Sequence, residues 1–519
     1  RDRSVSRGLG DVYKRQTESS RMYFTPENAA RIDYFRKQIE EWHKNKLLSE
    51  AEYMLLLASL VESVSRVSNT AGGYGAFLKK WDGRGLKPIE FIKPAYNACD
   101  SLNIKIYNDK TENIISDVKC DILYLDPPYT QNQYGTQYHL LETLILNDHP
   151  SVSKVTGSRP VMPMRSDWSK EYKAHILLDR IIANTTARYI VMSYNNDGLM
   201  SKEYIEAVMK RYGKPETYCC KKISYKKYQN WKSQNHKEHF EYLFFVEKKD
   251  PADVVYESPL NYIGSKARVI PAIRENLPSD IDDFIDAFGG GFNVGINIRS
   301  ESVVYNEYNH FVKELIESFW QYDTFSYIVY MKKMIRRFEL EPGRKDAYLN
   351  VRDYYNSLPE DKRDPRLLLV VILYSFQQQI RFNSNHGFNN PVGMRWFNDN
   401  LLEKLVSFSR RIKELNVCFS CADYTDTFRY VDDGHTFVYL DPPYMLTNGS
   451  YNDGKRGFKG WDVSQEAALF EFLDKLNHEG SRFMLSYVLE HKGKVNQNLV
   501  NWTQDNHCLL YTSDAADDK

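Results

Sequence analysis

Short apolar runs that stop abruptly at a charge, a glycine or a proline punctuate the chain, and several recur in the same order. DILYLDPPY (Asp121 to Tyr129) returns as TFVYLDPPY (Thr436 to Tyr444), and behind each lies a second matched run, YIVMSY (Tyr189 to Tyr194) and RFMLSY (Arg482 to Tyr487). Upstream the match loosens to NIKIYND (Asn103 to Asp109) against NVCFSCAD (Asn416 to Asp423). Runs rich in Ile, Val, Tyr and Phe and bounded by turn formers predict buried strands. A long-period duplication therefore organises the chain. Its joint falls at EKKDPADVVYESP (Glu247 to Pro259), charged and proline-bearing as linkers are.

Only the second repeat carries a front half. LNYIGSK (Leu260 to Lys266) precedes DDFIDAFGGGFNVG (Asp282 to Gly295), an apolar run that breaks into glycines and then resumes a helical pattern; SVVYNEYN (Ser302 to Asn309) follows as a strand. Strand, glycine turn, helix and a strand ending in an acid make the front half of a nucleotide-binding α/β unit. From Asn309 to about Asn416 the pattern is mostly helical, interrupted by the polar FNSNHGFNNPVG (Phe382 to Gly393). The fold class expected is α/β, with each repeat a mostly parallel sheet carrying helices on both faces and a helical insertion.

At 519 residues the chain exceeds what one core supports, so two domains are expected, over residues 17–250 and 251–507. The ends, RDRSVSRGLGDVYKRQ (Arg1 to Gln16) and CLLYTSDAADDK (Cys508 to Lys519), have no periodicity and resemble translated sequencing adapters, with native disordered tails as the other reading. On the adapter reading the natural protein continues beyond each end, so the first domain lacks its front and the second is cut at its C-terminus. No long apolar run and no signal pattern occurs, which points to a cytoplasmic protein. Lys plus Arg equals Asp plus Glu at 69 each. That balance argues against unspecific coating of nucleic acid, although a cleft can still concentrate positive charge. Cys418 and Cys421 form a CxxC without a second ligand pair, so no metal is expected.

The LDPPY segments carry chemistry. A strand delivers Asp441 to the carboxyl edge of a sheet, and Pro442 and Pro443 hold the following backbone extended and poor in amide donors. A carboxylate and a free carbonyl can accept both hydrogens of an adenine amine, turning its lone pair toward an incoming methyl group. Tyr444 can stack on a base that has left the duplex. A lone segment of this kind could be an ordinary strand-ending turn, but two copies behind matching strands speak against that. FGGGFNVG by itself is weak; its missing side chains let a ligand approach, Glu307 can hold ribose hydroxyls or be a solvated strand end, and the spacing departs from a dinucleotide fingerprint.

In order, LNYIGSK, DAFGGGFNVG, YNEYN, FNSNHGFNNPVG and LDPPY resemble the Dam-like class of N6-adenine DNA methyltransferases. The resemblance implies S-adenosyl-L-methionine as cofactor and an S-adenosylmethionine-dependent, Rossmann-like fold for both domains, closed by an antiparallel hairpin. It implies that Tyr262 and Lys266 flank the cofactor, that Phe288, Gly289 and Gly291 shape its pocket, that Glu307 binds its ribose, and that Asp441 holds the target amine while bordering the cofactor. Tyr262 stands where many relatives have Trp, and Glu307 where they have Asp. In the first repeat Asp126, Pro127, Pro128 and Tyr129 carry over as target-base residues, but no cofactor loop can be assigned, so this copy is expected to be crippled.

The tandem arrangement resembles the two-domain modification methyltransferases of restriction systems, whose halves modify the two strands of an asymmetric site. Double-stranded DNA and a separate cognate restriction endonuclease are then the implied partners. For reading DNA, the candidates are SNTAGGYGAFLKKW (Ser68 to Trp81) in the first repeat and FNSNHGFNNPVG, with Arg381 and Arg395, in the second. The basic KKISYKKYQNWKSQNHKEH (Lys221 to His239) is either a phosphate-contacting hairpin or a solvated edge. Methylation of RNA, protein or cytosine N4, and a DNA-binding scaffold without activity, remain as rivals.

Overall fold

The computed structural model describes residues 21–93, 103–154, 156–162, 164–224, 240–262, 264–432, 434–446 and 461–511. The stretch 1–16, most of the closing tail and residues 225–239 of the basic segment lie outside these. The chain divides into two compact units, one formed by residues 1–109 and 128–170, the other by 110–127 and 171–519.

The smaller unit is helical. Helices α1 (Pro26–Lys44) and α2 (Glu50–Arg66) start at Thr25 and Ser49, whose side chains cap them, and Glu52 completes a capping box with Ser49. Their apolar faces close on Tyr23, Tyr74 and helix α3 (His139–Leu146). Within SNTAGGYGAFLKKW, Asn69 is buried and spends its side chain on the carbonyls of Met22 and Leu78 and the amide of Asp82. It holds the loop's shape and does not face outward to read a base.

Among the described residues the larger unit contains two main sheets and a two-stranded antiparallel ribbon (Glu490–His491 with Lys494–Val495). The first has the order β1 (Ile122–Leu125), β2 (Tyr189–Asn195), β4 (Phe240–Glu247), β3 (Cys219–Ser224), with β1 and β2 parallel and β3 and β4 a returning antiparallel hairpin. Helices α4 (Lys173–Asn184) and α5 (Lys202–Tyr212) accompany it. The second sheet is wholly parallel, in the order β7 (Val417–Ser420), β6 (Ser302–Asn306), β5 (Asp283–Asp286), β8 (Thr436–Leu440), β9 (Arg482–Leu485). One of its faces closes on α11 (Val463–His478) through Leu469, Phe472, Leu473 and Leu476. Between β6 and β7 the chain builds the helical insertion: α6 (His310–Gln321), α7 (Thr324–Arg337), α8 (Lys345–Ser357), α9 (Pro365–Leu373) and α10 (Asp399–Glu414).

Two local expectations fail for physical reasons. NIKIYND forms no strand, and Ile104 and Ile106 stand exposed, because no counterpart of β6 is present among the described residues to pair with it. FNVG does not resume a helix. Asp286 takes the Gly295 amide, Phe292 adopts a left-handed φ of 59°, and only a short 3-10 turn (Gly295–Asn297) follows. In the segment joining the repeats, the amides of Tyr256 and Ser258 donate to Asn297 and Asn293, and Arg211 donates to Val255 O. Buried ion pairs Arg211 with Glu403 and Arg410 with Asp179 join α5 and α4 to α10 within this unit. Removing one partner of such a pair leaves an uncompensated buried charge.

Candidate functional site

Strands β5 and β8 lie side by side and parallel, so the chain leaves both at the same edge of the sheet. That adjacency brings the glycine loop and the Asp-Pro-Pro-Tyr segment together, at the place where parallel α/β sheets bind ligands. A cavity of ≈ 570 Å³ opens there, within the range of small-molecule sites. Among the residues lining it are Tyr262, Lys266, Phe288, Gly289, Gly291 and Glu307 from the front of the repeat, and Asp441 and Pro443 from its end.

The loop's geometry explains its glycines. Gly289 donates to Asn306 O at 2.7 Å, and a Cβ there would be driven into the ring of Tyr305, which is fully buried and donates its hydroxyl to Gly290 O. Gly290 has a φ of +47°, and its Cβ would lie 2.7 Å from Tyr262. Phe288 stacks on Tyr424 with ring centroids 4.9 Å apart, giving the cavity an aromatic wall.

At the other end Lys266 ties the site together. Its ammonium lies 2.7 Å from Asp441 Oδ2 and donates to Tyr444 Oη at 2.8 Å, while the Tyr444 hydroxyl donates to Asp441 Oδ1 at 2.9 Å. Burial pushes the Asp441 carboxyl upward, and Lys266 and Tyr444 pull it back. The Tyr444 ring meets Tyr487 edge-on at 5.4 Å, and Pro442 is buried behind the segment.

Sequence reading missed three contributors. Asp286, the last residue of β5, is fully buried, lines the cavity and is pushed up to about 7, first by burial and then by the charges of Asp441 and Glu307. An acid ending an apolar strand before a glycine run was the available signal. Asp423 and Tyr424, just beyond β7, also line the cavity; the loose repeat match had pointed to their neighbourhood.

Glu307 is buried and accepts two backbone amides, Gly290 at 3.0 Å and Asn309 at 2.8 Å. Burial still pushes its carboxyl up to about 7 from 4.5. Such a raised acid burdens the folded state only when ionised: the cost is absent below about pH 4.5, grows as pH rises, and is complete above about pH 7. We therefore expect Glu307→Gln to gain stability relative to the parent by about 3 kcal/mol across that window, whatever constant offset its altered hydrogen bonds impose. Denaturant melts at both ends of the window measure it, and a pH-independent difference would contradict it.

The first repeat differs. Asp126 sits exposed at the end of β1, accepting from Ser193 Oγ at 3.2 Å, and Pro127 is buried. Strand β1 forms the sheet edge, with Ile122 and Tyr124 60% and 58% exposed, whereas its equivalent β8 is fully buried between β5 and β9. Pro128 and Tyr129 belong to the smaller unit. No glycine loop accompanies this segment among the described residues.

In the candidate recognition loop of the second repeat, Asn390 is buried and consumed by Ser375 Oγ and the carbonyls of Phe376 and Gln379, and Asn383 caps the amides of Asn385 and Gly387. Arg381, Asn385 and Arg395 remain outward-facing.

Comparison with known proteins agrees with this geometry. The chain is 37% identical over 504 residues to the type II methyltransferase M.FokI of Planomicrobium okeanokoites, covering 93% of this chain and 77% of that protein. It is 36% identical over 500 residues to the modification methylase StsI of Streptococcus sanguinis, covering 92% and 76%. With the modification methylase LlaI of Lactococcus lactis subsp. lactis it shares 37% over 502 residues, covering 95% and 79%. The model of the D12 class N6 adenine-specific DNA methyltransferases matches twice, over residues 9–208 and 262–511, and the chain belongs to that family.

Proposed function

We propose that this adenine-specific DNA methyltransferase binds S-adenosyl-L-methionine in the cavity beside β5 and modifies a flipped adenine presented at Asp441 to Tyr444. The observation that carries the proposal is that one cavity is lined both by the glycine loop and by Asp441 and Pro443. Its charge supports the same ligand: four acidic side chains, Asp286, Glu307, Asp423 and Asp441, line it, and among the described residues lining it Lys266 alone carries an ammonium, placed on Asp441. A cationic sulfonium offsets that surplus, and Glu307 keeps a second lone pair on each oxygen for ribose hydroxyls.

When bound, the cofactor supplies an activated methyl group on positive sulfur. The chain's own residues orient the acceptor. Asp441, paired with Lys266, accepts one hydrogen of the adenine amine in place of its present bond to Tyr444. A carbonyl of the Pro442 and Pro443 backbone accepts the other, which leaves the nitrogen lone pair aimed at the cavity. Tyr444, released from Asp441, lies against the base, and the surplus proton passes to solvent. No strong base is needed. Transfer of labelled methyl from S-adenosylmethionine to adenine N6 in duplex DNA, with calorimetric binding of the cofactor, tests this; methylation without cofactor binding at the loop would refute it.

We further propose, from its likeness to modification methylases, that the protein is the modification enzyme of a restriction-modification system, cytoplasmic and paired with a separate endonuclease. The two domains, over 17–250 and 251–507, act on opposite strands of one asymmetric site. Their catalytic runs nearly coincide, while Ser68 to Trp81 and Phe382 to Gly393 share little. Similar chemistry with dissimilar reading fits two different base orders, whereas a palindrome needs one reader only. Where both domains are active, Asp126→Ala and Asp441→Ala should each erase N6-methyladenine from one strand. Single-molecule sequencing reads both strands, and loss of both marks from either change, or a palindromic site, would defeat the proposal.

A further inference from the structure

Three side chains distant in sequence meet beside the insertion. His310 opens α6, Glu360 begins a 3-10 turn (Glu360–Lys362), and His386 lies in the loop over residues 382–393. Their ligand-capable atoms all lie within 4.8 Å of one another. Glu360 Oε1 is 3.2 Å from His310 Nε2, and Glu360 Oε2 is 3.0 Å from His386 Nδ1. Donors about 2.05 Å from a tetrahedral zinc ion stand roughly 3.3 Å apart, close to this spacing. His310 Nε2 is buried and, although near Glu360, makes no hydrogen bond of acceptable direction. A nitrogen lone pair set against a carboxylate off the N–H line is repelled unless a cation lies between them.

The surroundings hold these groups in place. Phe311 and Phe382 stack with centroids 3.9 Å apart, and His386 meets Phe311 edge-on at 5.4 Å. His386 has a left-handed φ of 54°, with its amide on Asn383 O and its carbonyl accepting from Arg363. Glu314 adds negative charge toward His310, and Arg363 adds positive charge toward Glu360.

We propose that His310, Glu360 and His386 form a binding site for one divalent transition-metal ion of the zinc class, with its remaining position open to solvent beside the exposed Glu360. Two imidazoles and a carboxylate with one open position suit such an ion. The ion would fasten the loop over 382–393 to the start of α6, one residue beyond Asn309, which lines the cavity. The site does not depend on assigning that loop to DNA or the cavity to a cofactor.

Titration of the metal-stripped full chain with Zn²⁺ against a chromophoric chelator tests it. One tightly held equivalent is expected, and Co²⁺ in its place should give the absorption bands of a four- or five-coordinate nitrogen and oxygen site. Glu360→Gln and His386→Asn should each weaken binding by about 10-fold or more, with melting of the metal-free protein unchanged, while Cys418→Ser with Cys421→Ser leaves it intact. Hydrogen exchange across residues 382–393 should slow with Zn²⁺ in the parent and not in Glu360→Gln. The proposal is overturned if no equivalent is held, if the equivalent follows the cysteine pair, or if it survives His310→Asn with His386→Asn.

Discussion

Asp441→Ala should lower methyl transfer by the second domain by about a thousandfold or more, while duplex affinity stays within roughly tenfold because phosphate contacts dominate binding. The asymmetry follows from the site. Asp441 is the group on which Lys266 and Tyr444 both converge, so its loss removes the acceptor for the adenine amine and leaves the Lys266 ammonium without its partner carboxylate. Asp441→Asn is informative as well: the amide keeps the shape and one acceptor for the amine but loses the charge paired with Lys266, so it should fall less far than Asp441→Ala. Initial rates with labelled cofactor, beside fluorescence anisotropy on a target duplex, separate the two effects. Undiminished turnover in either variant would remove Asp441 from the chemistry, and a parallel collapse of DNA affinity would show that its role is structural.

The second large effect is expected at the glycine loop. Calorimetry should find one S-adenosylmethionine per chain and none after Gly289→Val with Gly291→Val. A side chain at 289 has nowhere to go, since Tyr305 is fully buried and fixed by its hydroxyl on Gly290 O, and a Cβ at 291 would come 3.1 Å from both Asn293 and Tyr262. Overpacking of this kind costs about 1 to 3 kcal/mol, enough to close the cavity or deform the loop without unfolding the domain, which a preserved far-ultraviolet spectrum would verify. A stoichiometry of two would show that the first repeat holds a pocket despite β1 lying at a sheet edge. Binding that survives both substitutions would place the cofactor elsewhere.

By itself, the sequence determined the features whose cause is local. Apolar runs that end at Asp-Pro-Pro-Tyr, their repetition, and the glycine run after DDFIDAF announced the strands and their carboxyl ends, because burial periodicity and backbone restriction act within a few residues. The family followed from the order of such segments. Tertiary structure decided everything that depends on partners. NIKIYND has the composition of a strand but no neighbour to pair with among the described residues, and FNVG has the periodicity of a helix but loses its amide to Asp286. Asn69 and Asn390, which as free side chains could read bases, are consumed by buried backbone groups. Lys266 and Tyr444, 178 residues apart, meet at Asp441 only because β5 and β8 pair in parallel and bring the two ends of the repeat to one sheet edge. The same holds for Asp286 and for the meeting of His310, Glu360 and His386: hydrogen bonding and charge act through space, and the fold alone sets which distant residues share it.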